Sequence, residues 1–500
     1  MGILERCASV SPQMRRALLP VLLTAATLLL IFLIGRHVPS ANGPAEWQWP
    51  YRAPGLQGLG LVLAAALTIP LIYWAAHERR TDWWWALPLL VLLGWALPLN
   101  LVRAQPGGFR QVLDALASRH TFGYVFDAGL APDTRTLLAD WPAASVGLNQ
   151  HSRTHPPGPL LAVRALDLMG RRLPADPQGE RGLISAAAES LEREAARVAL
   201  RSHKTPRNLP SPGTLVLLAL LLPLLSALAA WPVHRLAAGL GMETGAALLA
   251  AALWLTVPAR SVFTPSLDQA LPLLVVAAAW MAVTGRRWRA LLAGGLLALS
   301  VFFSYGYLAA VPLVGLLALT AQRSPEDLRR LDWLDWLDWK RTILCAAGFL
   351  LPWIVLALAT GFDPWASFRT AVEQHHKIAV ASRSYGTWLA WNPYDFLLLL
   401  GPAVLALTAV SLFGRRKDER SPAHNALAWG WWALLLVLLV SGSVRGEVGR
   451  IWLFLMPFAC VLAAGDAVRR WGPRSLWTGL LLVLELALTL ALAGNLVFVG

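Results

Sequence analysis

Long apolar runs recur from one end of this chain to the other, and they constrain its fold more than any other feature. A helix needs roughly 20 apolar residues to cross a hydrocarbon core of about 30 Å, and these runs are of that order. Only 14% of the 500 residues are charged. A soluble domain carries about 25%, so this chain lacks the polar surface needed to live in water. The expected fold class is therefore an all-α polytopic membrane protein.

About thirteen spans (11–14) are expected, near residues 17–35, 58–76, 83–102, 214–230, 241–257, 267–284, 290–304, 306–321, 342–360, 396–413, 425–440, 450–467 and 476–498. Phe303 to Gly306 could instead turn a re-entrant hairpin. Alternation through these spans puts Arg15-Arg16, Arg79-Arg80, Arg235, Arg286-Arg287-Arg289, Arg329-Arg330, Lys340-Arg341, Arg415-Arg416-Lys417 and Arg469-Arg470-Arg474 on one side. Basic residues in short loops mark the cytoplasmic face. The net charge of +14 is thereby explained without nucleic acid. No cleavable signal is expected, because the run from Ala17 to Ile34 is too long for a signal core. The N-terminus is read as cytoplasmic and the location as a bacterial inner membrane. Cys345 and Cys460 lie in apolar runs and Cys7 stands alone, so neither a disulfide framework nor a metal spacing is implied.

Five regions follow: N-terminal spans 1–102, a large periplasmic loop 103–213, central spans 214–360, a second periplasmic loop 361–395, and C-terminal spans 396–500. Within the central spans, the Leu-Asp-Trp repeat at 331–339 and its flanking basic residues predict an interfacial helix over 325–341 on the cytoplasmic leaflet. The large loop predicts short interfacial helices at Phe109 to Arg119 and Leu160 to Met169, then a solvated, peripheral one around Leu183 to Leu200. Its most informative stretch is Asn149-Gln150-His151-Ser152-Arg153-Thr154-His155-Pro156-Pro157-Gly158-Pro159, polar and closed by prolines that suit a helix start.

That stretch, placed in a large exoplasmic loop and heading the next helix, resembles the proline motif of GT-C membrane glycosyltransferases, such as the protein O-mannosyltransferase and aminoarabinose-transferase families. The likeness is strongest to bacterial members carrying Thr-His-Pro-Pro-Gly, here Thr154 to Gly158. It extends to Phe368–Asp395, with His375, His376, Arg383, Tyr385, Trp388 and Asn392, and to Arg445–Trp452. The resemblance implies transfer of a sugar from a polyprenyl-phosphate-type lipid to an acceptor that the sequence does not identify. The family's acid pair is absent, so the counterpart acid is one of Asp114, Asp127, Asp133 and Asp140.

Such a transfer needs a base for the acceptor hydroxyl and positive groups for the departing phosphate. Asp127 ranks first as base, because its aromatic neighbours Tyr124 and Phe126 could raise its pKa, and Asp114 ranks second. His155, His151 and Arg153 could position substrate. Arg445 and Arg450 around Glu447, and His375, His376 and Arg383, are the candidate phosphate holders. Asp268 opens a span on the same face, where helix-dipole stabilisation is the plainer account. Two histidines four apart before paired prolines do not make a zinc site, although a divalent cation stays a candidate cofactor. Glu485 sits alone in mid-span, and intramembrane acids are functional by default. A transporter is the main alternative, disfavoured by the absence of an internal repeat; a non-catalytic scaffold is the other.

Overall fold

The computed structural model describes residues 12–52, 59–78, 83–173, 182–202, 209–284, 286–321, 337–413 and 421–498. Among them all regular structure is helical, apart from one isolated bridge between Tyr51 and Leu496. Six helices are long and apolar enough to cross a membrane. They are α1 (Pro12–Gly35, from Ala17), α3 (Trp83–Ala104, from Trp85), a run through Pro212–Gly239, and Trp339–Thr360, Pro422–Ser441 and Leu476–Asn495. This is the architecture of a multi-pass membrane protein. Each of the thirteen apolar stretches contains helix, but six helical segments are shorter than a crossing: Leu67–Ala76 within α2 (Leu59–Glu78), Thr244–Thr256, Leu267–Val283, Trp288–Phe303, Tyr305–Leu319 and Met456–Trp471.

One expected span is broken. Residues 396–413 form two helices, Tyr385–Leu400 and Pro402–Phe413, bent by 106° at Gly401. Gly401 has φ +98°, and a Cβ there would collide with the Glu485 carboxyl, which fills that space. Burial also gives the core its centre. Thr244–Thr256 is Ala- and Leu-rich and buried all round, as expected of a helix with no polar face, and it packs on Met456–Trp471. At the other extreme, Trp339–Thr360 buries little of itself and shows Ile343, Leu350, Ile354 and Leu358 outward, as a lipid-facing helix does.

Between α3 and the Pro212 helix the described residues fold into seven helices: α4 (Gly108–Ala117), α5 (Tyr124–Leu130), α6 (Thr134–Ala139), α7 (Trp141–Val146), α8 (Gln150–Arg153), α9 (Gly158–Gly170) and α10 (Leu183–Ser202). One expectation for this region changes. The α10 helix is packed, not peripheral: Ala187 and Leu191 are buried and it lies on α4 and α11 (Pro212–Leu228). The α9 helix also packs on α11, where Gly170 and Gly213 let the backbones meet. Asp167 of α9 accepts the Ser211 N–H at 2.6 Å and the Thr214 hydroxyl at 2.9 Å, tying the start of α11 to α9. Arg164 donates to the Ala128, Ala131 and Pro132 carbonyls, fixing the end of α5.

Three further segments complete the surroundings of the site. The α12 helix (Pro364–His375) is capped by Asp363 and runs into a π-helical turn, His376–Val380. The helix α13 (Tyr385–Leu400) carries Asn392 and Asp395 on its buried face. Residues 36–52 dock on α13 and on the C-terminal helix: Trp49 donates to Asp395 at 3.2 Å, and His37 meets Asn495 at 3.2 Å. The Leu-Asp-Trp repeat up to Trp336, most of the expected interfacial helix 325–341, and the basic loops at 79–80, 329–330 and 415–417 lie outside the described residues. From Leu337 onward, Asp338 caps the Trp339 helix through the Arg341 N–H.

Candidate functional site

The Asn149–Pro159 segment is held by a carboxylate beneath it. Asp127, fully buried on α5, accepts the Ser152 hydroxyl at 2.6 Å and the Asn149 N–H at 2.9 Å. Arg119 lies 4.0 Å from its other oxygen, which has no hydrogen-bond partner. Burial raises the Asp127 pKa above the ordinary carboxylate value, against the pull of Ser152, Asn149 and Arg119. On this platform the two histidines take fixed tautomers. His151 Nε2 sits 2.7 Å from the His120 carbonyl, and His155 Nδ1 sits 2.8 Å from the His151 carbonyl. Carbonyls only accept, so both nitrogens carry protons, leaving His151 Nδ1 and His155 Nε2 as acceptors. Burial, then the neighbouring His151, pushes the His155 pKa down to about 3, and burial lowers that of His151. Both rings are neutral at physiological pH. Tyr124 sets its ring edge-on to each, at 6.1 and 5.7 Å.

These rings form one wall of a cavity of about 830 Å3. The other walls come from Pro265 to Asp268, from Ser304 to Ala309, from α12 with its π-turn, and from Leu438 to Trp452. Asp268 enters the cavity from the turn before Pro272, held by a capping box in which Ser266 and Gln269 exchange hydrogen bonds with the backbone. Its Oδ2 lies 3.3 Å from the Ser266 hydroxyl and 3.9 Å from Arg450. Glu447 is more firmly held, 2.7 Å from Arg450 and 3.8 Å from Arg383. It has φ +57°, a left-handed conformation that costs a non-glycine residue energy and clusters at functional sites.

The loop bearing Glu447 is pinned by α13. Asn392 donates to the Val444 carbonyl at 2.8 Å and accepts the Gly446 N–H at 3.0 Å. Asp395 accepts the Gly449 N–H at 3.1 Å. The Arg383 guanidinium lies against both Trp47 and Trp388, 5.5 Å from each ring, and also donates to the Arg445 carbonyl. Arg445 itself donates to the carbonyls of Val380, Arg383 and Gly442 and lies over Tyr385. It ties two loops together, so few of its donors remain for a ligand. His375 Nε2 lies 3.0 Å from the Ser443 carbonyl, closing the wall, and His376 lines the cavity beside it.

Nine of the twelve site residues expected from sequence line this cavity: His151, His155, Asp268, His375, His376, Arg383, Arg445, Glu447 and Arg450. Three do not. Asp127 lies behind the wall it supports. Arg153 faces a neighbouring cavity and spends its Nε on the Leu148 carbonyl. Asp114 is further off still, on α4, where it accepts from Ser190 at 2.7 Å and pairs with Arg193 of α10. The two acids ranked first as base thus have structural work, and the carboxylates facing the cavity are Asp268 and Glu447. Tyr124, Tyr305, Ser304 and Trp47 belong to the site without having been singled out as candidates; the Trp47-Gln48-Trp49 pair in a polar loop was the available signal for the last. Among the described residues no three His, Cys, Asp or Glu are grouped to hold a metal ion. No protein-family model matches the chain, and no curated protein matches it.

Proposed function

We propose that this protein is a membrane glycosyltransferase of the GT-C kind, moving a sugar from a polyprenyl-phosphate-type donor to an acceptor hydroxyl. The observation that carries this reading is convergence: four segments far apart in sequence bring carboxylates, neutral imidazoles and arginines into one cavity at the edge of an apolar bundle. Leu308, Val372, Ile378 and Leu438 give the same cavity an apolar side suited to an isoprenoid chain. In this reading the thirteen apolar segments are the crossings, the N-terminus is cytoplasmic, and the cavity opens to the periplasm of an inner membrane.

Asp268 is the base. Glu447 is neutralised by two arginines, whereas Asp268 has one arginine at 3.9 Å and one weak hydroxyl donor. Asp268 takes the acceptor hydroxyl proton, the acceptor oxygen bonds to the anomeric carbon, and the bond from that carbon to the phosphate oxygen breaks. The phosphate leaves with the electron pair, facing Arg450 and Arg383. His155 Nε2 and His151 Nδ1, held neutral, accept hydrogen bonds from sugar hydroxyls. The test uses protein reconstituted with polyprenyl-phosphate sugars. D268N is expected to lower transfer by about 10²-fold or more, as loss of a general base does, while D114N stays active. A fully active D268N variant overturns the base assignment. Ion-gradient-driven uptake without sugar transfer overturns the transferase reading in favour of a transporter.

A further inference from the structure

Beside the main cavity, and sharing Gln150 and Ile378 with it, lies a second one of about 550 Å3. Its lining holds three guanidiniums, Arg119, Arg153 and Arg197, with His120, against a single carboxylate, Glu194. Glu194 is already engaged: it accepts the Arg119 N–H at 3.2 Å and pairs with Arg197 at 3.4 Å. The guanidiniums of Arg119 and Arg153 are engaged only in part, each facing the charge of Asp127, which lies outside that lining. Arg119 stands 4.0 Å from Asp127, beyond hydrogen-bond reach, and its buried Nε has no partner. Arg153 uses only its Nε, on the Leu148 carbonyl at 2.6 Å, leaving both Nη groups without an acceptor among the described residues.

A buried guanidinium N–H without a partner, here the Arg119 Nε, is costly unless a ligand supplies an oxygen, and planar forks match phosphate geometry. Amides of Asn149 and Gln150 stand beside them. In the main cavity, by contrast, Arg383 and Arg445 are largely engaged by Glu447 and by backbone carbonyls, which leaves Arg450 as the guanidinium there with an unpartnered Nε. We infer that the second cavity is a binding site for a phosphomonoester group. Resting on the transferase reading, that group belongs to the acceptor and anchors it while a hydroxyl reaches past Gln150 toward Asp268. Asp127 stands between the two cavities, facing Arg119 at 4.0 Å on one side and fixing Asn149 and Ser152 on the other.

The full chain in nanodiscs of zwitterionic lipid is titrated with glycerol 3-phosphate. Saturable binding is expected, weakened roughly tenfold by R119Q/R153Q, since a charge-assisted hydrogen bond contributes about that factor. Binding unchanged in this variant overturns the site. Should R119Q/R153Q fail to fold, E194Q decides: it keeps the acceptor oxygen for Arg119 but removes the lone negative charge. Tighter binding in E194Q supports the site, and unchanged or weaker binding overturns it. Competition by phosphatidic acid doped into the nanodiscs identifies a lipid phosphate as the occupant, and its failure to compete identifies a soluble ester. Arginine-dependent binding without any sugar transfer sinks the transferase reading and leaves the anion site standing. Transfer with an acceptor KM unmoved by R119Q/R153Q sinks this site alone.

Discussion

Asp127 and His155 show how far a side chain's surroundings decide its work. Asp127 accepts two hydrogen bonds that have no substitute, from Ser152 and from the Asn149 N–H. D127A leaves the buried Ser152 hydroxyl and the part-buried Asn149 N–H without their acceptor, so it is expected to destabilise the protein by about 1–3 kcal/mol. D127N retains an acceptor oxygen and loses less; denaturation of the two variants in detergent separates them. His155 is neutral in the folded state, with its pKa pushed down to about 3 from 6.5. An unfolded chain therefore binds the extra proton first as the pH falls, and folding loses stability between pH 6.5 and about 3. Comparing melting temperatures of wild type and H155Q across that window isolates the contribution, which the variant is expected to lack. Burial of Asp127 works with the opposite sign, since its raised pKa costs stability as pH rises above the ordinary carboxylate value.

Among the elements, the helix pair Trp288–Phe303 and Trp339–Thr360 packs most closely, and two glycines permit it. A Cβ on Gly294 would strike the Cys345 carbonyl, and one on Gly348 would strike that of Leu291. Lipid provides no hydrophobic drive between helices, so close backbone approach at small residues supplies the contact energy. G294V or G348V is expected to destabilise the fold by about 1–3 kcal/mol or more through overpacking, read as a lowered melting temperature in detergent. Element positions were legible from apolar length, because a helix satisfies its backbone locally. The Gly401-Pro402 pair within 396–413 was a local signal for the break, but what the bend packs against was not legible. Only the arrival of Glu485, 84 positions further on, fills the bend and gives the Val404 N–H an acceptor. That contact also gives Glu485, read from sequence as an isolated intramembrane acid, a structural partner.

Across the whole molecule, the sequence by itself determined a membrane-bound, all-helical chain and the segments that would carry its polar chemistry. Apolar run length, proline starts and the Thr154–Gly158 motif are local properties, readable without knowing which helix meets which. The tertiary structure alone decided which polar residues share a cavity. Asp114 answers to Arg193, 79 residues away, and that pairing turns it from the centre. Asp268 meets Arg450 across the bundle and faces inward. An aspartate in a loop reads the same whether it braces a wall or lines a cavity, because its direction is set by partners that long-range packing supplies and that neighbouring residues do not encode.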